Sequence, residues 1–219
     1  MDGSDLLARL RDERLVAIVR GRDPEAALRT VLALAEEGVS LIEVSLNTAD
    51  APGVIARAAR ELGPASVLGA GTVLTAADVC RAAGAGARWM VTPAVAESVG
   101  AAAAAGLPVL AGALTPTEAV AALQAGADAV KLFPASVGGP AYLKALREPL
   151  PQVPFVPVGG VDAAAAQDYL EAGAVAVGVG SPLVGDAAHG GDLGELRARA
   201  RKFVEVCRRP GRRRQEARP

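Results

Sequence analysis

Apolar residues recur along this chain in short β-branched runs, separated by longer stretches rich in alanine and leucine. The runs fall at residues 16–20, 41–46, 67–71, 89–92, 109–113, 129–133, 155–158 and 175–180. A short, nearly unbroken apolar run is what a strand buried on both faces of a parallel sheet looks like. The stretches at 24–37, 51–62, 76–85, 96–105, 117–125, 140–150, 163–172 and 193–206 have helical composition. Six of them stop at a glycine, namely Gly38, Gly63, Gly86, Gly106, Gly126 and Gly173. Glycine is the residue that most readily closes a helix in the left-handed conformation. Several stretches start after Asp, Ser or Thr, whose side chains can cap the first free N–H groups.

Strands that alternate with helices specify a parallel sheet covered by helices. Eight such units and no ninth predict an α/β fold, a single-domain (β/α)8 TIM barrel. An open, Rossmann-like sheet would want a G-x-G-x-x-G turn after the first strand, and residues 16–22 contain none. The 219 residues sit near the low end for a barrel and leave no room for a second domain. The expected layout is a barrel over 1–207 followed by a basic, disordered tail over 208–219. In such a barrel the chemistry gathers at the C-terminal ends of the strands, which makes polar residues there informative.

Composition removes several classes of function. Hydrophobic residues make up 51% of the chain, yet no stretch has the strongly apolar length of a membrane span. The first fourteen residues are charged throughout, so neither a signal peptide nor a membrane anchor is expected there. Cys80 and Cys207 are far apart and lack metal-ligand spacing, which suits a reducing cytoplasm. A net charge of −1 argues against nucleic-acid binding. The arginine-rich tail is the one exception, and it reads as a solvated terminus. His189 is the only histidine and lies in a loop-like, glycine-rich segment, 185–192. A histidine-rich metal site is thereby excluded, and a Ser-His-Asp triad would have only that one base.

Lys131 breaks the pattern of its strand. It lies in Ala129-Val130-Lys131-Leu132-Phe133-Pro134, in a chain with three lysines and twenty arginines. A buried ammonium is costly unless it is paired or gives up its proton. A neutral lysine amine is a nucleophile that can form a Schiff base with a carbonyl. Lys144 and Lys202 lie on helical stretches and read as solvated. Glu43 interrupts Leu41-Ile42-Glu43-Val44 in the same way. It is either a structural carboxylate, facing a polar layer or paired with Arg20, or a general acid/base.

Arg20 ends the first strand, where a guanidinium can bind a carboxylate or phosphate in bidentate fashion. Gly69-Ala70-Gly71-Thr72 closes the third. Its glycines fit either the close approach of a ligand or a tight turn, and Thr72 offers a hydroxyl. Gly159-Gly160 follows strand seven, and Gly178-Val179-Gly180-Ser181 follows strand eight. Those are the two loops in which barrels often hold phosphate. A lysine amine, a carboxylate, a carboxylate-binding group and a phosphate pocket are the parts of an enzyme that condenses with a 2-keto acid and breaks a carbon–carbon bond. Such chemistry needs no metal or organic cofactor.

Taken together, Val16-Ala17-Ile18-Val19-Arg20, Leu41-Ile42-Glu43-Val44, Leu68-Gly69-Ala70-Gly71-Thr72-Val73, Val91-Thr92-Pro93, Ala129–Ala135 and Val158-Gly159-Gly160-Val161 resemble the 2-keto-3-deoxy-6-phosphogluconate and 4-hydroxy-2-oxoglutarate aldolases, a family that includes the 2-keto-3-deoxy-6-phosphogalactonate enzymes. The resemblance spans about 6–206. It implies a class I aldolase on a (β/α)8 barrel, homotrimeric and cytoplasmic, acting on a phosphorylated 2-keto acid. Lys131 would form the Schiff base and Glu43 would move protons. Arg20 and Thr72 would meet the keto-acid end, with Asn47, Pro93, Phe133 and Val158 also around the substrate. Gly159, Gly160, Gly180 and Ser181 would hold the phosphate.

Two departures touch specificity. Asn47 stands where many gluconate-type members have arginine, and Val158 stands where many have threonine. Both features resemble the galactonate-type branch. The expectation places the gluconate substrate first, with cleavage to pyruvate and glyceraldehyde 3-phosphate, and the galactonate epimer close behind. The competing readings are a non-catalytic barrel that binds sugar-acid phosphates and a phosphate-binding isomerase. Neither requires a strand lysine beside a strand glutamate.

Overall fold

The computed structural model describes residues 1–64 and 66–208. Among these residues are eight strands: β1 (Leu15–Val19), β2 (Leu41–Ser45), β3 (Val67–Gly71), β4 (Trp89–Val91), β5 (Val109–Ala113), β6 (Ala129–Leu132), β7 (Phe155–Pro157) and β8 (Val177–Val179). All pair in parallel, in chain order, and β8 returns to β1. A bridge between Val158 and Gly178 joins β7 to β8, and the Val175 N–H donates to the Phe155 carbonyl at 3.0 Å. These contacts close the ring into a (β/α)8 barrel.

The outer layer consists of α2 (Pro24–Glu36), α3 (Ala51–Leu62), α4 (Ala76–Gly84), α5 (Glu97–Ala104), α6 (Pro116–Gln124), α7 (Gly139–Arg147), α8 (Ala163–Glu171) and α10 (Leu193–Arg208), with a short α9 (Ser181–Val184) after β8. Local chemistry sets their ends. Asp23 and Asp162 cap α2 and α8, and Thr75 with Asp78, like Thr115 with Glu118, forms a reciprocal capping box. The six glycines expected at helix ends all have positive φ, between 69° and 104°. Several expected strands end one residue early, so that Arg20, Leu46, Thr92 and Phe133 lie just past the ladders. β8 starts at Val177 rather than 175. The last helix runs through Arg208, and residues 209–219 of the basic tail lie outside the described residues.

Neither the short α9 nor the first helix was expected. α1 (Gly3–Glu13) precedes β1, and its charged surface hides Leu6 and Leu10, four residues apart and both fully buried. They join Val16, Leu41, Trp89, Val91, Leu110, Ala129, Val156 and Ala176 in the barrel interior. Burying a leucine side chain contributes about 1.5–3 kcal/mol, so α1 acts as a plug at the N-terminal mouth. The alternate strand positions, such as Ala17, Val19, Ile42, Val44, Val130 and Leu132, belong to the larger core beneath the helices. Among the described residues, no helix is long and apolar enough to cross a membrane.

Toward the C-terminal ends the inward positions change character. Ile18 is in register with Glu43, and Glu43 with Gly69. Gly112 is in register with Lys131, and Lys131 with Val156. Neighbours in register face the same side of a sheet, so Glu43 and Lys131 both point into the barrel above the plug.

Glycines make the space. A Cβ on Gly69 would lie 2.4 Å from the Trp89 ring, one on Gly71 2.6 Å from Glu43 Oε1, and one on Gly112 2.2 Å from the Pro93 carbonyl. Gly69 and Gly71 lie within β3 itself, so a tight turn is not what requires them. Gly69 admits the indole of Trp89, and Gly71 admits the carboxylate of Glu43.

Candidate active site

Lys131 projects from the middle of β6 and is 7% exposed, while Glu43 projects from the middle of β2 and is 2% exposed. Among the described residues no ion pair within 4 Å involves either of them or Arg20. The structural reading of Glu43 as a partner of Arg20 therefore has no contact to support it. Burial pushes the Glu43 carboxyl above its ordinary value, and the positive charges of Lys131 and Arg20 pull it partly back. The carboxylate thus feels both cations without being locked to either. The Lys131 ammonium nitrogen lies 5.2 Å from the centroid of the Phe133 ring, a cation–π distance.

A cavity of about 300 Å³ opens over the ends of β7, β8 and β1; Lys131 and Glu43 do not line it, but Phe133, whose ring Lys131 faces, and Ile18, in register with Glu43, do. Arg20, Phe133, Val158, Gly159, Gly160, Gly180 and Ser181 all line it, seven residues expected around the substrate. Gly159 and Gly160 take φ of 98° and 74°, a left-handed backbone that favours glycine. The N–H groups of Gly159, Gly160 and Ser181 donate to no acceptor among the described residues. Three free donors and a serine hydroxyl on one wall form a ready site for an anion.

Thr72 and Pro93 stand on the other side of the barrel mouth, after β3 and β4. Thr72 is a non-glycine residue at φ 61°, and its hydroxyl lies 2.9 Å from that of Ser45. A left-handed threonine is strained, which is typical of positions held in place for a site. Asn47 is exposed in the β2–α3 loop and does not line the cavity.

Several neighbours were not expected. Ser45 is fully buried and lies two positions beyond Glu43, so strand periodicity alone puts both on the inward face. Thr92 Oγ1 donates to the Ala94 carbonyl at 2.6 Å and accepts from the Gly112 N–H at 3.2 Å, which pins the β4 end beside Lys131's neighbour. His189, read as a loop residue, ends a one-turn 3-10 helix (Ala187–His189) and lines the cavity. Among the described residues no group of three or more His, Cys, Asp or Glu side chains is placed to hold a metal ion.

An amine and a carboxylate inside a barrel mouth, near a cavity lined by free backbone donors, are the groups that amine-dependent carbon–carbon bond cleavage would need. Comparison with known proteins agrees. Residues 6–198 match the family model described as KDPG and KHG aldolase, and the chain belongs to that family. It is 42% identical over 181 residues to a Rhizobium meliloti protein named "Probable 2-dehydro-3-deoxy-6-phosphogalactonate aldolase", covering 82% of this chain and 85% of that one. The KHG/KDPG aldolase of Escherichia coli is 34% identical over 194 residues, covering 87% and 91%. A solved structure described as native KDPGal superposes with a TM-score of 0.83 at 35% identity, covering 89% of this chain and 94% of that one. The protein is accordingly an aldolase, a carbon–carbon lyase.

Proposed function

We propose that this enzyme is a class I aldolase cleaving phosphorylated 2-keto-3-deoxy sugar acids to pyruvate and glyceraldehyde 3-phosphate. The observation that carries the reading is Lys131, a lone inward-facing amine with Glu43 in the same mouth. Lys131 Nζ adds to the C2 carbonyl, and loss of water gives the iminium. Glu43 takes the proton of the C4 hydroxyl as the C3–C4 bond breaks. The bonding electrons move onto C3 and are drawn into the iminium, giving the enamine of pyruvate and a free aldehyde. Protonation at C3 and addition of water release pyruvate and restore the amine. The water lost at the start is the one regained at the end. Arg20 and Thr72 serve the carboxylate end in this reading.

The phosphate lies on the wall of Gly159, Gly160 and Ser181. Gly160 is a poor place to test this by substitution. Its φ is 74°, and an added Cβ would come within 2.9 Å of Ser136. Ser181 is exposed and starts a helix, where an acidic residue is tolerated. Ser181→Asp should raise KM for a phosphorylated 2-keto-3-deoxy acid by about 10-fold or more, the effect expected for placing a carboxylate beside an anion. KM for the unphosphorylated acid should move little. Equal changes on both would count against the pocket.

The gluconate-first order expected from sequence is reversed in this proposal. Val158, 6% exposed and lining the cavity, offers no hydroxyl toward the substrate's C4. The relatives of highest identity given above also lie on the galactonate side. The epimer is tested by kcat/KM on both C4 epimers for parent and Val158→Thr. A new hydrogen bond is worth about 0.5–1.5 kcal/mol, so the ratio should move toward the gluconate substrate by roughly 2- to 10-fold. A parent that rejects the galactonate epimer by several orders of magnitude would overturn the assignment.

A homotrimer, as the family resemblance implies, belongs to the same proposal. Exposed Leu74, Val95 and Val137 around the barrel mouth give it apolar surface to bury. Sedimentation equilibrium should give three times the chain mass, and a monomer would contradict it.

A further inference from the structure

The only histidine in the chain sits on the rim of the proposed phosphate site. His189 ends the turn Ala187–His189, and that turn is anchored: Ala187 and Ala188 are buried. The turn packs directly on the loop after β1. A Cβ on Gly21 would fall 2.0 Å from the Ala188 carbonyl oxygen, so only glycine allows the two segments to meet there. Next to that contact the Arg22 N–H donates to His189 Nδ1 at 3.3 Å, while the His189 N–H donates to the Asp186 carbonyl at 2.8 Å. The ring is therefore held by an anchored turn on one side and a backbone donor on the other.

The Arg22 contact has a chemical consequence. Nδ1 accepts a hydrogen bond, so the proton of the neutral imidazole resides on Nε2. Nε2–H is then a ring donor with no acceptor among the described residues. His189 lines the same cavity as Arg20, Gly159, Gly160 and Ser181. It also borders a recess with Arg22 and Asp23, whose carboxylate is already occupied capping α2 through the Glu25 and Ala26 N–H groups. The wall across the cavity carries free N–H donors and the rim carries this imidazole.

We propose that His189 is a further substrate-binding residue, which donates from Nε2 to the phosphate seated on Gly159, Gly160 and Ser181. This rests on the phosphate reading of the cavity given above. It makes His189 a determinant of selectivity for phosphorylated over unphosphorylated acids, with no part in the bond-breaking steps at Lys131.

A single histidine makes the test direct, because every imidazole nitrogen signal belongs to it. In ¹⁵N-labelled protein, long-range ¹H–¹⁵N correlation at neutral to mildly alkaline pH should show the Nε2–H tautomer. Glycerol 3-phosphate should shift the Nε2 signal in a saturable manner, and glycerol should not. In parallel, His189→Ala should raise KM for the phosphorylated 2-keto-3-deoxy acid roughly 3- to 10-fold, the loss expected for one hydrogen bond to an anion at an exposed rim. It should leave kcat, and KM for the unphosphorylated acid, within about two-fold of the parent. His189→Gln, which keeps a donor near the Nε2 position, should recover most of the loss. An Nε2 signal indifferent to glycerol 3-phosphate, or equal KM changes on both substrates, would overturn the proposal. If His189→Ala has no effect while Ser181→Asp still raises KM for the phosphorylated acid, His189 is refuted and the phosphate wall stands. If neither variant has an effect, the wall itself is wrong.

Discussion

Replacing Lys131 with methionine should abolish cleavage and leave the barrel folded. Methionine keeps an unbranched apolar stem at a position flanked in register by Gly112 and Val156, and removes only the amine. Loss of a nucleophile that forms the covalent intermediate should cost about 10⁴-fold or more in kcat. The stem still fills the mouth, so circular dichroism and the thermal midpoint should match or exceed the parent's. Lys144→Met, on the surface of α7, is the control and should retain full activity. If Lys131→Met kept more than about a hundredth of the parent's rate, covalent catalysis by this residue could not account for the activity.

The second large effect belongs to Glu43, and it has two opposite faces. Glu43→Gln should lower kcat by roughly 10²- to 10⁴-fold, the range for removing a general acid/base. The same change should raise stability. Burial holds the Glu43 carboxyl above the ordinary value of 4.5 despite Lys131 and Arg20. In the unfolded chain the carboxyl ionises at its ordinary value, so above that pH the folded state is penalised by the reluctance of the buried group to ionise. The penalty is absent where both states are protonated. It grows as pH rises from the unfolded value to the raised folded one and is constant beyond. Glutamine never ionises, so the gain in thermal midpoint should be near zero at about pH 4 and level off above the raised folded value. A loss of turnover together with a loss of stability at every pH would mark Glu43 as structural.

Much of this was legible in the chain, for reasons that lie in particular residues. Parallel strands buried on both faces read as apolar runs, so eight of them could be counted. Lys131 and Glu43 stood out because charge inside such a run has few structural uses. Gly159, Gly160 and Ser181, which line the cavity, drew attention because the loops after strands seven and eight are where barrels often hold anions.

What escaped notice has equally physical causes. Leu6 and Leu10 of α1 form a two-residue stripe too narrow to show through the surrounding charge. The role of Gly69 and Gly71 depends on Trp89 and Glu43 reaching across from neighbouring strands, a contact that no local pattern encodes. Asn47 is exposed in the β2–α3 loop, a placement that no local pattern encodes. His189 was hidden in a glycine-rich segment whose anchoring to Gly21 and Arg22 is entirely tertiary.

The central claim is that the Lys131 amine bonds covalently to the substrate's keto carbon. Incubation with pyruvate, reduction with borohydride and peptide mapping by mass spectrometry test it in one measurement. The expected result is a single stable pyruvyl adduct on the peptide containing Lys131, absent when either reagent is left out. No adduct under conditions of active turnover, or an adduct on Lys144 or Lys202 with none on Lys131, would contradict the account.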